Sequence, residues 1–146
     1  MSKKIPELKV NNTALKNKRV ALIKAEFNAD ITDKILALAI KELIKHDVKY
    51  DVFCVGGAFE IPYKINYLNK NNSKKYNGFV AIGCLIKGET DHYEYVSQAV
   101  SNGIMRLSIS LTKPIMYAIL NCQNRKQALS RIDNIEYIIS NLLTLI

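Results

Sequence analysis

Apolar positions in this chain follow two alternating rhythms: short unbroken runs, and longer stretches with helical spacing. The run Arg19-Val-Ala-Leu-Ile-Lys-Ala-Glu-Phe27 predicts a buried strand. From Asp30 to His46, Ile31, Ile35, Leu38 and Leu43 recur on one helical face, with Lys34, Lys41 and Lys45 outside it. Asp30 or Thr32 would cap that helix, because a short side-chain oxygen can accept from the unpaired N–H groups of the first turn. A second strand, Val48 to Val55, stops at Gly56-Gly57. A helix starts near Ala58 to Pro62, where the N–H that proline lacks would have had no partner. Gly78 to Ile86 is apolar almost throughout, as expected of a strand covered on both faces. Gly88 to Thr90 then turns into a helix reaching about Ser108. A fourth strand, Pro114 to Leu120, leads to a helix from about Asn124 that carries Gln127, Leu129 and Arg131. The apolar stretch Ile135 to Ile146 closes the chain as a helix packed on the domain or on a neighbour.

Strict alternation of strand and helix predicts an α/β fold, a three-layer α/β/α sandwich around a four-stranded parallel sheet. Ligands of such sheets bind beyond the carboxyl ends of the strands. The segments to watch are therefore Phe27-Asn28, Gly57-Ala58-Phe59-Glu60, Cys84 to His92, and Asn121 onward. No repeat or low-complexity linker divides the sequence. Residues 17–146 read as one domain behind a short flexible arm, residues 1–16.

Composition narrows the picture. With 146 residues and 49% hydrophobic content, one domain can fill a sizeable core. No apolar run is long enough to span a bilayer, and MSKKIPELKV lacks the apolar centre of a secretory signal. Cys54, Cys84 and Cys122 are odd in number with no C-x-x-C pair, which argues against a disulfide framework or a zinc site. The expectation is a cytoplasmic protein without a metal. A formal net charge of +8 suggests anionic partners. The lysines, however, gather in the arm (Lys3, Lys4, Lys9, Lys16, Lys18) and in one loop (Lys70, Lys74, Lys75), as on a solvated surface rather than a nucleic-acid stripe. A small phosphorylated ligand uses such charge equally well.

Each segment after a strand has a chemical and a plain reading. Gly88-Glu89-Thr90-Asp91-His92 could aim backbone N–H groups at an anion, with His92 titrating beside it, or could be a loop glycine, a Thr90 cap and a solvated histidine. Gly56 to Glu60 could admit a flat ligand between Phe59 and a hydrogen-bonding Glu60, or could be a tight turn with Phe59 in the core. Phe27 could stack on a heteroaromatic ring while the Asn28 amide reads its substituents, or it could be core. Tyr117 carries the same ambiguity. Arg131 could hold phosphate by paired hydrogen bonds, or be an isolated surface arginine.

Taken together, AEFN (Ala25 to Asn28), GGAFEIP (Gly56 to Pro62), GCLIKGETDHYEYV (Gly83 to Val96) and QALSR (Gln127 to Arg131) closely resemble the lumazine synthase family, from about Val20 to Arg131. The pairing of GAFEIP with GCxIxGETxHxxYV is highly specific. The resemblance implies a flavodoxin-like fold and a cofactor-free condensation: 5-amino-6-(D-ribitylamino)uracil joins 3,4-dihydroxy-2-butanone 4-phosphate to give 6,7-dimethyl-8-ribityllumazine, the penultimate step of riboflavin biosynthesis. It implies that Phe27 stacks on the pyrimidinedione with Asn28 beside the ribityl chain. Backbone at Gly57, Ala58 and Phe59, with the Glu60 carboxylate, would hold the ribityl hydroxyls, and Cys84, Leu85 and Ile86 would line the ring. Glu89 and Thr90 N–H groups with Arg131 would bind phosphate, and His92 would relay protons. Tyr117 and Arg131 would come from an adjacent subunit, so the resemblance implies a homopentamer or a multiple of it, up to an icosahedral shell, and an association with riboflavin synthase.

The chain departs from that pattern twice. Gly56 stands where the family usually has proline. Ile132 to Ile139 contains no lysine, where members usually carry a glycine-rich stretch with a substrate-facing lysine. Two other readings compete. A non-catalytic flavin or lumazine binder would keep Phe27, Ala58 and Phe59 but would need neither His92 nor Arg131. A flavodoxin-like electron carrier wants a hydroxyl-rich phosphate loop after the first strand, and Glu26-Phe27-Asn28-Ala29 does not supply one.

Overall fold

Four parallel strands form one sheet in the order β2-β1-β3-β4, in a computed structural model that describes residues 4–146. They are β1 (Arg19–Ala25), β2 (Lys49–Val55), β3 (Gly78–Ile86) and β4 (Ile115–Cys122). Between and after them run α1 (Ala29–Lys45), α2 (Ile61–Asn71), α3 (His92–Leu111), α4 (Arg125–Ser130) and α5 (Ile135–Leu145). The first three residues of the expected arm, Lys3 among them, lie outside the described residues.

Side-chain alternation along the strands sorts the core into two layers. Val20, Leu22, Val80, Ile82, Cys84, Ala118 and Cys122 point to one face, where α1, α4 and α5 cover them. Ala21, Ile23, Ala25, Phe79, Ala81, Ile115 and Ile119 point to the other, beneath α2 and α3. The α/β/α sandwich follows, and β3 is buried along its first seven residues because helices lie on both sides of it. On α1 the expected stripe holds: Ile31, Ile35 and Leu43 are fully buried, Leu38 is half-buried, and Lys34, Lys41 and Lys45 are exposed. Burying each such Leu or Ile contributes about 1.5–3 kcal/mol. Residues Asn12–Leu15 make a 3-10 turn that sets Leu15 into this same layer at 1% exposure.

Element ends differ from the sequence expectation where a tertiary partner intervenes. β1 stops at Ala25 rather than Phe27 because Asn28 takes a left-handed conformation (φ 59°, ψ 45°) and starts α1 at Ala29. Neither Asp30 nor Thr32 is the N-cap. Asn28 holds that position without a side-chain cap, its carbonyl accepting from the N–H groups of Ile31 and Thr32. The Thr32 hydroxyl instead donates to the Ala25 carbonyl at 2.8 Å. β4 continues through Asn121 to Cys122 because β3 still offers ladder partners there. Arg131 is the C-cap of α4, one residue beyond its last turn. Asn124 is the N-cap, accepting from the Gln127 N–H at 2.9 Å.

Charged groups tie the edges of the sheet. Lys24, only 5% exposed on β1, is held by the Glu26 and Asp33 carboxylates; the hydrogen bond it donates to Asp33 raises its pKa above the usual lysine value. On the edge strand, Asp51 accepts from Arg19 Nη1 at 3.0 Å and from the buried Tyr76 hydroxyl at 2.7 Å. Burial works against the charged Asp51, but Tyr76, Arg19 and Lys75 outweigh it and hold the carboxyl below its ordinary 3.8. A carboxyl with a lowered folded-state pKa contributes stability that is complete above the ordinary value and is lost as pH falls through the lowered one. Tyr76→Phe should therefore cost about 1–2 kcal/mol at neutral pH. In urea titrations at stepped pH, the gap between variant and parent should close below about pH 4, as Asp51 protonates.

Candidate functional site

The order β2-β1-β3-β4 makes the chain wind one way from β1 and the other way from β3, so the crevice for a ligand lies between those two strands. The register shows how it opens. β1 pairs with β3 only as far as Lys24↔Ile82, while β1 follows β2 to Ala25↔Val55, and β3 follows β4 to Ile86↔Cys122. Beyond that point the Glu26 and Phe27 N–H groups donate to Val55 and Gly56 carbonyls, and the Lys87 N–H donates to Cys122. The sheet forks.

A cleft of about 620 Å³ occupies the open end on the α2/α3 side. That volume falls within the range of small-molecule sites. Phe27, Gly56, Gly57, Ala58, Phe59 and Glu60 line one wall; Cys84, Leu85 and Ile86 form the floor; Gly88, Thr90, His92, Tyr93 and Val96 close the far side. Phe27 is 70% exposed and Phe59 62% exposed, so neither is core. Two large aromatic faces stand uncovered at one cleft. Exposure of this kind marks surface awaiting a partner.

The glycines sharpen this. At Gly56 and Gly88 an added Cβ would meet nothing within 4 Å, and no glycine has a positive φ. Neither backbone conformation nor the chain's own packing demands glycine at these two places, which leaves bare backbone facing the cleft. The Gly56 carbonyl accepts from the Phe27 N–H at 3.0 Å, a bond that a proline there would also accept. Gly83 is different: a Cβ would sit 3.3 Å from that of Ala58, so its absence lets the 3-10 turn Ala58–Glu60 settle onto β3.

Polar groups are few and placed at the ends. One Glu60 oxygen accepts from the Gly57 N–H at 3.0 Å, which orients the carboxylate at the lip. His92 opens α3, its N–H donating to Thr90 Oγ1 at 3.4 Å. Lys87 and Glu94 pair at 3.2 Å across the intervening turn; the Glu94 backbone N–H and Lys87 hold that carboxyl below its usual value. Cys84 contributes backbone, since its side chain lies in the opposite core layer, where burial pushes the thiol up to about 11. A thiol of that kind is neutral at physiological pH and is no nucleophile.

Not every expected residue reaches the cleft. Glu89 is exposed and outside the lining, and Asn28 turns its amide away to donate to the Cys84 carbonyl at 2.9 Å. Tyr117 and Arg131 line a separate groove of about 260 Å³ along β4. The Tyr117 hydroxyl donates to Asn121 Oδ1 at 2.6 Å, and Asn121 Nδ2 donates to Ser97 Oγ of α3 at 3.0 Å. Among the described lining residues of the cleft none is lysine or arginine. The lysine-free segment Ile132 to Ile139 is used for packing, with Ile132, Ile135 and Ile139 buried. Tyr93 and Val96 were not anticipated in the lining; Val96 stands four positions from His92 and three from Tyr93 at a helix start, and that spacing was the available signal. Among the described residues no group of three or more His, Cys, Asp or Glu side chains could hold a metal ion, and no helix is long and apolar enough to cross a membrane.

Fold and cleft define a doubly wound α/β protein with an aromatic-lined cleft at its switch point. Residues 17–138 match the sequence model of 6,7-dimethyl-8-ribityllumazine synthase. A 6,7-dimethyl-8-ribityllumazine synthase from Bartonella bacilliformis is 38% identical over 79% of this chain and 76% of its own. Proteins of that name from Limosilactobacillus reuteri (38% identity; 77% and 73% covered) and Lactiplantibacillus plantarum (36%; 84% and 76%) are similar to it as well. The chain belongs to the 6,7-dimethyl-8-ribityllumazine synthase family, enzymes of riboflavin biosynthesis.

Because Gly88 meets open space, Gly88→Leu should leave the melting temperature within about 2 °C, as for a surface change away from packing. It should weaken binding of 6,7-dimethyl-8-ribityllumazine at least about tenfold, since the side chain would occupy the cleft. Calorimetric melting and a fluorescence titration read the two effects separately.

Proposed function

We propose that the family's condensation runs in this cleft, with the heterocycle beside Phe27 and the phosphate of the four-carbon ketone toward the start of α3. The observation that carries the assignment is the uncovered aromatic pair, Phe27 and Phe59, over bare glycine backbone at the switch point. The pyrimidine's 5-amino group attacks the ketone of 3,4-dihydroxy-2-butanone 4-phosphate, and water leaves to give an imine. Phosphate is then eliminated, the enol tautomerises, and the ribityl-bearing nitrogen closes the ring with loss of a second water. Both substrates are intrinsically reactive, so holding them together supplies most of the acceleration. His92, in the lining at the start of α3, moves protons at the amino and hydroxyl groups. The Cys84–Ile86 backbone orients the ring, and the Glu60 oxygen not held by Gly57 accepts from the ribityl hydroxyls.

The departing phosphate needs a cation, and the cleft of one chain has none among its lining residues. Arg131, with Tyr117 in its separate groove, supplies that cation from a neighbouring copy, which makes the active unit an oligomer built as a homopentamer or a multiple of it. The exposed face of α3 supports self-association. Only Val100 and Ile104 of its twenty residues are buried, while Tyr95, Met105 and Ile109 are more than 60% exposed. The enzyme works in the cytoplasm, consistent with free cysteines throughout, and riboflavin synthase, which consumes the product, is the partner protein. A non-catalytic binder would have no use for His92 in the lining.

Mixing the protein with both substrates should generate the fluorescent lumazine. His92→Ala should slow turnover about 100-fold without abolishing it, the lower end of the loss for one proton-transfer group. Arg131→Ala should raise the KM for the ketone phosphate about tenfold or more while leaving that for the pyrimidine nearly unchanged. An unaltered ketone-phosphate KM would remove arginine from the phosphate site.

A further inference from the structure

The fork between β1 and β3 is crossed by a side-chain hydrogen bond. Asn28 Nδ2 donates to the Cys84 carbonyl at 2.9 Å. This carbonyl belongs to a residue only 2% exposed and lies two positions beyond Ile82, the last β3 residue paired with β1. The N–H groups that a continuing ladder would have offered, those of Glu26 and Phe27, are turned toward β2. A buried carbonyl left without a donor is costly, and the Asn28 amide is what satisfies it.

The backbone of Asn28 adds a second constraint. Its left-handed conformation is one that asparagine tolerates far better than branched residues do. In that conformation its carbonyl receives the first N–H groups of α1, from Ile31 at 2.9 Å and Thr32 at 3.0 Å. The reversal leaves the preceding Phe27 ring facing solvent at the cleft wall, tied through its own N–H to Gly56. Asn28 thus fixes both jaws of the ring-binding end: Phe27 through the backbone, and the Cys84–Ile86 floor through the amide.

We infer that Asn28 is a positioning residue for the heterocycle, holding Phe27 and the Cys84 backbone at a set separation across the forked sheet, rather than a contact to the ribityl chain. The inference rests on the assignment of the heterocycle to this cleft. It makes the amide donor of Asn28 part of the protein's own frame, spent on Cys84 before any ligand arrives.

Two substitutions separate a frame from a contact. Asn28→Gly keeps the left-handed backbone and deletes the donor. Asn28→Asp keeps backbone and size but presents a carboxylate, to which a sugar hydroxyl can still donate and which a carbonyl repels. Fluorescence titration with 6,7-dimethyl-8-ribityllumazine and with 6,7,8-trimethyllumazine, which lacks the ribityl hydroxyls, reads the difference. A positioning role requires that both variants weaken both ligands by the same factor, about five- to tenfold, the equivalent of one hydrogen bond. The KM for the butanone phosphate should not move, and simple loss of folded protein would lower signal amplitude without shifting either dissociation constant. A loss confined to the ribityl-bearing ligand, binding restored in Asn28→Asp, or unchanged affinity for both ligands would each overturn the inference. Phe27→Ala serves as the control on the cleft: if it left both affinities intact, the assignment of the heterocycle would fail first, whatever Asn28 does.

Discussion

The structure turns on the parting of β1 from β3. A parallel ladder normally continues as long as both strands extend, because each buried N–H and carbonyl needs a partner. Here the ladder ends at Lys24↔Ile82 although β3 runs on to Ile86. The backbone groups freed at the fork are re-satisfied sideways, on β2 and β4 and through the amide of Asn28. An opening at the edge of the core is thus obtained without orphaned polar groups. The two apolar layers on either face of the sheet hold the strands while their ends diverge.

What the opening accepts follows from what surrounds it. Apolar and aromatic groups, glycine backbone and two end-placed ionisable side chains, Glu60 and His92, suit a flat ring with a polar tail. They do not suit a lone anion, because the cations of this strongly basic chain lie elsewhere. Arg131 and Tyr117 sit together in a groove that one chain leaves apart from the cleft. On the proposed assignment, phosphate chemistry calls for a second copy, because the lining of the cleft carries no lysine or arginine. The uncovered apolar residues of α3 provide a physical reason for that copy to bind.

The departures from the family pattern are also physical statements. At Gly56 the bond in use is the carbonyl to Phe27, so losing a proline leaves the turn's hydrogen bond in place. The segment Ile132 to Ile139, where a lysine contact was expected from the resemblance, instead buries isoleucines against α1. On the proposed assignment, the chemistry then rests on orientation by backbone and on a single arginine, Arg131.

The hydrophobic pattern determined the architecture: the unbroken runs of β1 and β3 and the Ile31–Ile35–Leu43 stripe each dictate which faces are covered, because burial is governed by side-chain spacing. Motif order also placed His92, Phe59 and Ala58 after strands, where parallel sheets bind ligands. Tertiary structure decided the rest. That Phe27 is exposed depends on a left-handed residue next to it. That Asn28 serves Cys84, fifty-six residues away, depends on a ladder ending early. That Arg131 lies apart from His92 depends on which edge of the sheet β4 occupies. Each of these is a relation between distant segments, and local spacing carries no record of which carbonyl a side chain will find across a sheet.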